Sequence, residues 1–144
     1  MLKAKRFTLL IVLALGTALI LAACGGASTP APVDQTVTMS DSFKFDPAAI
    51  TVEPGAQVTL HLKNTGALVH SFYLMEKGYK AQTPFGDADK QHVIKNIEVS
   101  QVQPGDSQDL TFTAPTDPGD YEFVCGTPGH LEGGMMGTLT VAAP

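Results

Sequence analysis

The chain of 144 residues has only two cysteines and four histidines, and it contains no long amphipathic helical pattern and no internal repeat. The lack of helical periodicity argues against a helical bundle. One cysteine, Cys24, directly follows the only long hydrophobic run, near the N-terminus. If Cys24 is modified there, Cys125 has no partner for a disulfide. A lone thiol in an exported chain is typically a reactive group or a metal ligand.

Residues 1–23 have the layout of an export signal. Three basic residues within the first six precede an apolar, uncharged stretch from Phe7 to Ala23. The stretch ends in Leu21-Ala22-Ala23-Cys24, which is typical of a bacterial lipobox, so we expect cleavage before Cys24 and lipidation of its thiol. The alternative is an uncleaved anchor, because 17 residues lie at the short edge of a spanning helix. Both interpretations place the domain outside the cytoplasm and attach it to a membrane of the bacterial envelope.

The rest of the chain divides into a linker and one domain. Residues 24–33 comprise the lipidated cysteine and a small, polar, proline-bearing linker, and residues 34–144 are long enough for one folded domain. Loss of the leader removes three of the nine basic residues and none of the fourteen acidic ones, which leaves a net charge of −8. Such a charge argues against nucleic-acid binding and favours encounter with basic proteins.

From residue 34 onward the dominant pattern is a period of two, which is typical of half-buried strands. Three Pro-Gly pairs, beginning at Pro54, Pro104 and Pro118, predict type II turns. Together they predict an all-β sandwich of two sheets with antiparallel strands. The polar stretch 76–91 predicts a long loop with one helical turn. The apolar positions of the predicted strands are Val37, Met39, Val58, Leu60, Leu62, Leu110, Phe112, Leu139 and Val141.

One short segment contains three potential metal ligands. Cys125, His130 and Met135 follow one another at C-x4-H-x4-M spacing, in a stretch rich in glycine that is too short for a helix. A thiolate, an imidazole and a weak thioether are the ligands that suit mononuclear blue copper, which needs one further histidine.

Strand register indicates which of these side chains point inward. Cys125 is in phase with the aromatic residues Tyr121 and Phe123, so we expect it to leave the strand facing the core. Met135 is in phase with the apolar positions of the last strand, whereas Met136 has the opposite parity. The register therefore favours Met135 over Met136 as the thioether ligand.

Three histidines could complete the set. His61 lies on the polar face of a predicted strand, and His92 adjoins a charged loop with no apolar pattern. His70 alternates in phase with Phe72 and Leu74. A lone histidine on an apolar face is often only a core residue, but the incomplete ligand set favours His70 as the fourth ligand.

The segments around these four candidate ligands, Asn64–Leu74 and Tyr121–Val141, resemble those of a cupredoxin, a type 1 blue copper protein. The spacing from Cys125 to His130 is similar to that of azurin, and His130 to Met135 followed by Met136-Gly137 is similar to plastocyanin. The combination is most similar to the auracyanins, which are membrane-attached cupredoxins. The resemblance implies a Greek-key β-sandwich that holds one copper ion, with His70, Cys125 and His130 as the close ligands and Met135 as the distant one.

The resemblance also implies a function and a docking surface. It predicts a one-electron shuttle rather than an enzyme, a monomer whose partners are redox proteins such as a cytochrome or a membrane quinol-oxidising complex. The edge of His130 would reach solvent through an uncharged patch, with electrons leaving there. The patch would comprise Ala67, Leu68, Pro128, His130, Leu131, Gly133 and Gly134.

Two positions depart from the family pattern. The family usually has Asn after the first histidine and often Ser or Thr after the cysteine, and these residues tie the two ligand loops together. This chain has Ser71 and Gly126 there. Because outer hydrogen bonds orient ligands and tune a metal, the rigidity and the potential of this site are not those of its relatives.

Two other classes of function compete with the shuttle. A copper store or chaperone is the main alternative, although such proteins favour open sites rich in Met and His, and this chain has no histidine cluster. Four histidines are too few for a multicopper oxidase, and a binuclear copper centre of the cytochrome oxidase type needs two cysteines in the loop that holds Cys125.

Overall fold

The computed structural model describes residues 29–143. The predicted export signal and the lipidation site at Cys24 lie outside these residues. Within residues 29–143 no helix is long and apolar enough to cross a membrane.

Nine strands and one short helix make up the described part of the chain. The predicted helical turn in the 76–91 stretch is present as α1. The strands are β1 (Val33–Ser40), β2 (Lys44–Asp46), β3 (Ala49–Val52), β4 (Gln57–Asn64), β5 (His70–Met75), β6 (Val93–Val102), β7 (Ser107–Thr113), β8 (Gly119–Val124) and β9 (Met136–Val141), and α1 spans Asp87–Lys90.

The strands form two sheets, in the orders β2-β1-β4-β7 and β3-β9-β8-β5-β6. The two-sheet sandwich is as predicted, but the sheets are mixed rather than antiparallel. β1 runs parallel to β4, and β3 runs parallel to β9. Both parallel pairs join strands that are distant along the chain, so hairpin turn signals do not reveal them.

The core lies between the sheets, where the predicted alternation holds. Every apolar strand position named from the sequence is buried, with Leu110 and Phe112 the most exposed of them at 7%. Three phenylalanines fill the centre. Phe45 packs edge-on against Phe72 and Phe123, and these last two rings stack at 5.1 Å. This core fixes the ends of β5 and β8, where two predicted ligands lie.

Two of the three Pro-Gly pairs adopt the expected turn. Gly55 and Gly105 have φ of +73° and +81°, as a type II turn requires. Gly119 instead has φ of +140° and begins β8. An added Cβ there would meet the Lys77 side chain at 2.8 Å.

The segment between β5 and β6 covers the outer face of the five-stranded sheet. Tyr79 and Phe85 pack on a second apolar cluster of Met75, Val93, Val124 and Leu131. Asp89, 2% exposed, holds the segment together. Its carboxylate accepts hydrogen bonds from the Tyr79 hydroxyl at 3.0 Å and from the amides of Gln82 and Gly86 at 2.8 and 2.9 Å. β5 and β8 are therefore buried on both faces near the predicted ligands.

Candidate metal centre

Three of the predicted ligands converge at one end of the sandwich. His70 begins β5, Cys125 directly follows β8, and His130 lies in the loop before β9. The Nδ1 atoms of the two histidines are 3.1 Å apart, and the Cys125 Sγ is 3.5 Å from the Nδ1 of His130. One donor atom from each residue lies within 4.8 Å of the others, and all three residues are buried.

Met135 belongs to the same loop and is fully buried, whereas Met136 is 42% exposed. The Cys125 amide donates a hydrogen bond to the Met135 carbonyl at 3.0 Å, and the Met135 amide donates to the His130 carbonyl at 2.9 Å. These bonds hold the Met135 backbone against both other loop ligands. Met135 is therefore the buried methionine of the pair, as the strand parity predicts.

The electrostatics of the pair of imidazoles suit a bound cation. Burial lowers the pKa of His70, and the nearby His130 lowers it further. Burial also lowers the pKa of His130. Both shifts favour the neutral ring that a metal needs, and imidazoles with a thiolate and a thioether form the donor set that copper prefers in a blue site. The residues present fit that ion.

Ser71 ties the two ligand loops together in place of the family's asparagine. The Gly126 amide donates a hydrogen bond to the Ser71 Oγ at 2.8 Å. The Ser71 amide lies 3.4 Å from the Cys125 Sγ and the Ser71 hydroxyl 3.5 Å from it, within range of hydrogen bonds to sulfur. Ser71 therefore keeps the two ligand loops connected, although it differs from the asparagine that the family usually has here.

Gly126 is required by the packing beside the cysteine. The Tyr73 and Phe85 rings stack at 5.0 Å. A Cβ at Gly126 would lie 2.6 Å from Phe85 and 2.8 Å from Tyr73. A serine or threonine here would push the covering segment away from the site.

Comparison with known proteins agrees with this site. Residues 32–142 match the family described as "Copper binding proteins, plastocyanin/azurin family". The chain belongs to this family of cupredoxins. Its relatives include solved structures as well as curated sequences.

A crystal structure of Na-dithionite reduced auracyanin from Roseiflexus castenholzii is 31% identical, with a TM-score of 0.64 over 82% of this chain and 100% of that one. Auracyanin-A from Chloroflexus aurantiacus is 29% identical over 86% of this chain and 90% of its own length. The copper-resistant cuproprotein CopI of Rubrivivax gelatinosus is 36% identical over 73% of this chain. This chain spans 64% of that CopI's length. A solved structure of auracyanin A from Chloroflexus aurantiacus, described as a "blue" copper protein, is 27% identical, with a TM-score of 0.63 over 77% of this chain and 99% of that one.

The other two histidines that were considered as the fourth ligand, His61 and His92, lie away from the metal site. His61 is partly exposed on β4, where its Nδ1 lies 2.6 Å from Asp109 and its Nε2 lies 3.0 Å from Asp34. The ring of His92 stacks on Tyr79 at 4.0 Å. Neither histidine belongs to the cluster of converging donors.

The turn between β1 and β2 reaches both ligand histidines, which the sequence did not predict. The Phe43 ring lies 4.7 Å from the His130 ring, centroid to centroid, and Phe43 has a φ of +55° that is unfavourable for a bulky residue. An added Cβ at Gly133 would collide with the Phe43 ring. The Oδ1 of Asp41 lies 3.5 Å from the Nε2 of His70. No local pattern marks these residues, because their role depends on packing between distant segments.

Two members of the predicted docking patch are buried. Leu131 is 2% exposed and packs in the second apolar cluster, so it does not reach the surface. His130 is 5% exposed, partly because Phe43 lies against it. The exposed members of the patch are Ala67, Leu68, Pro128, Gly133 and Gly134.

Proposed function

We propose that this cupredoxin is a one-electron carrier tethered to a membrane outside the cytoplasm. The observation that carries the proposal is the buried set of His70, Cys125, His130 and Met135, held by backbone and hydroxyl hydrogen bonds on both sides of the cysteine. Copper bound there would alternate between Cu(II) and Cu(I) by one electron.

The protein contributes rigidity to this chemistry. Ser71 connects the strand of one ligand to the loop of another, and the Met135 backbone is bonded to both Cys125 and His130. Apolar packing on both faces of β5 and β8 resists movement of the ligands. A site that changes little between oxidation states exchanges electrons with little reorganisation.

The surface around His130 is where we expect partners to dock. Leu68 is one of two large hydrophobic side chains that are substantially exposed among the described residues, at 45%. With Ala67, Pro128, Gly133 and Gly134 it forms a rim of residues without charged side chains, bordered by the carboxylates of Asp41 and Glu132. Such a rim lets a partner approach the imidazole closely, while the acidic charge of the domain raises the encounter rate with basic partners.

The sequence also supports our proposals for the anchor and for the partner. The lipobox at Cys24 supports attachment of a lipid to the chain, and the linker of residues 24–33 gives the domain reach from the membrane surface. A basic cytochrome or a membrane quinol-oxidising complex has the chemistry to exchange electrons with such a domain.

Copper handling is the second candidate, because a relative at 36% identity carries the description "copper-resistant cuproprotein". A protein that stores copper or hands it on must release the ion, whereas a carrier must retain it through many cycles. Resistance of the reduced protein to a strong Cu(I) chelator separates the two functions. The carrier retains copper for hours, and the store or chaperone loses it within minutes.

Two substitutions test the docking surface in the copper-loaded protein. Leu68→Lys places a cation in the rim, and Met136→Lys places the same cation at the other exposed hydrophobic side chain, which is 42% exposed and outside the rim. We expect Leu68→Lys to slow electron transfer to a basic c-type cytochrome by about tenfold at an unchanged potential, and Met136→Lys to leave the rate near that of the wild type. Equal rates for the two variants would contradict the docking surface.

A further inference from the structure

The turn between β1 and β2 brings a carboxylate close to the Nε2 of His70. Asp41 directly follows β1, and its Oδ1 lies 3.5 Å from the Nε2 of His70. That Nε2 is the one buried side-chain nitrogen or oxygen in residues 29–143 without a hydrogen-bond partner. A buried polar group without a partner is rare and costs about 1–3 kcal/mol, so its presence needs an explanation.

The carboxylate is held in place independently of the histidine. The Ala67 amide donates a hydrogen bond to one oxygen of Asp41 at 2.7 Å, and the Leu68 amide donates to the other at 3.2 Å. An added Cβ at Gly66 would collide with the same carboxylate. The glycine therefore allows Asp41 to approach the loop that leads into His70.

The orientation of the His70 ring leaves its Nε2 available to a hydrogen-bond acceptor. The Nδ1 of His70 points to the other donors, 3.1 Å from the Nδ1 of His130. A metal held through Nδ1 fixes the ring proton on Nε2 and makes that N–H a stronger hydrogen-bond donor. Histidines that bind metals almost always donate this second N–H to a carboxylate, a carbonyl or a water. Asp41 is the carboxylate nearest to this atom.

We propose that Asp41 is a positioning residue for the copper site, which accepts the Nε2 hydrogen bond of His70 and, through its negative charge, favours Cu(II) over Cu(I). The inference depends on copper binding at the site and not on the identity of the redox partner. It predicts a lower reduction potential than the same ligands would have with a neutral group at this position.

The first test uses the full-length protein loaded with Zn(II), which is diamagnetic and binds His and Cys ligands. Nitrogen-15 NMR follows the Nε2 proton of His70. We expect a hydrogen-bonded signal in the wild type whose exchange with water is about tenfold faster in Asp41→Asn. The exposed Asp46 on β2 of the same hairpin supplies the matched control, Asp46→Asn, which should leave the exchange unchanged. Equal exchange in all three proteins would overturn the inference.

The second test measures the reduction potential of the copper-loaded proteins. Asp41→Asn keeps an oxygen that can accept the Ala67 amide but removes the charge. We expect it to lower the ratio of Cu(II) to Cu(I) affinity by about tenfold, which raises the potential by about 59 mV. Asp46→Asn removes the same charge from the same hairpin and should produce a much smaller rise.

The outcomes separate this inference from the proposed function. An intact blue copper spectrum with equal potentials for Asp41→Asn and Asp46→Asn overturns only the role of Asp41. Absence of a blue spectrum in the wild type overturns the proposed carrier, and the Zn(II) experiment then still decides whether Asp41 positions His70.

Discussion

The hydroxyl oxygen of Ser71 accepts a hydrogen bond from the backbone amide of Gly126 at 2.8 Å. This bond joins the residue after the first ligand histidine to the residue after the ligand cysteine. It leaves the hydroxyl proton of Ser71 free to point at the Cys125 sulfur, 3.5 Å away. A single small side chain therefore braces the ligand loops and supplies a donor to the thiolate.

Ser71→Ala should lower both the free energy of unfolding of the metal-free protein and the reduction potential of the copper form. Loss of the acceptor leaves the partly buried Gly126 amide without its partner, so we expect the metal-free protein to lose about 1–3 kcal/mol in free energy of unfolding. Loss of the donor to sulfur should lower the reduction potential of the copper form. Denaturant unfolding and voltammetry measure the two effects. Ser100→Ala, at an exposed serine on β6, is the control and should change neither quantity.

Met135→Leu and Met136→Leu test which thioether serves the site. Met135 is fully buried and its backbone is hydrogen-bonded to His130, whereas Met136, the first residue of β9, is 42% exposed. We expect Met135→Leu to keep a blue protein with a raised potential, because a weak ligand that stabilises Cu(II) is lost. Met136→Leu should have the potential of the wild type. The reverse result would show that the strand register is misassigned.

Gly126→Ala tests the packing of the covering segment against the cysteine loop. The new Cβ would lie 2.6 Å from Phe85, so we expect a loss of about 1–3 kcal/mol in free energy of unfolding. In a Phe85→Ala background the same substitution should cost less, and a double-mutant cycle measures the difference.

Gly86→Ala is the matched control for that cycle. Gly86 has a φ of −145°, and an added Cβ there meets nothing closer than a carbonyl at 3.9 Å. Its cost should be small in either background. An equal cost of Gly126→Ala with and without the Phe85 ring would contradict the contact.

His61 should make stability depend on pH. The hydrogen bond from His61 to Asp109 raises the pKa of the histidine, and Asp34 adds to the rise while partial burial opposes it. Because the folded pKa lies above the ordinary 6.5, the stabilisation is fully present below 6.5 and is lost as the pH rises through the folded value. The neutral ring carries one N–H and can satisfy only one of the two carboxylates.

The measurement compares the wild type with His61→Gln. We expect the excess stability of the wild type to shrink as the pH rises above 6.5 and through the raised pKa of His61. Comparison of the two proteins at each pH cancels the titration of groups that they share. A difference that stays constant over this range would show that the pair of carboxylates does not shift the histidine.

The ligands were predictable because their positions follow from local rules. Cys125 and Met135 lie in or beside strands whose alternation can be counted, and His70 is in phase with Phe72 on the buried face of β5. Strand parity is a property of a few neighbouring residues. The sandwich itself was predictable for the same reason, from alternation and Pro-Gly turns.

The surroundings of the ligands were not predictable, because they depend on segments far apart in the chain. Leu131 was expected on the docking patch, but the segment that carries Phe85 covers that side of the sheet and Leu131 packs beneath it. Asp41 and Phe43 reach the histidines across the top of the sandwich. The parallel pairing of β1 with β4 also depends on a long-range contact that no turn signal marks.

The central claim is that the buried donor set holds one blue copper ion that cycles reversibly. The most direct measurement takes the purified protein, removes all metal, adds one equivalent of Cu(II), and records visible and EPR spectra before and after ascorbate. We expect an intense thiolate-to-copper band with narrow copper hyperfine splitting, bleached by ascorbate and restored by an oxidant. A colourless protein, or one with the spectra of ordinary tetragonal Cu(II), would contradict it.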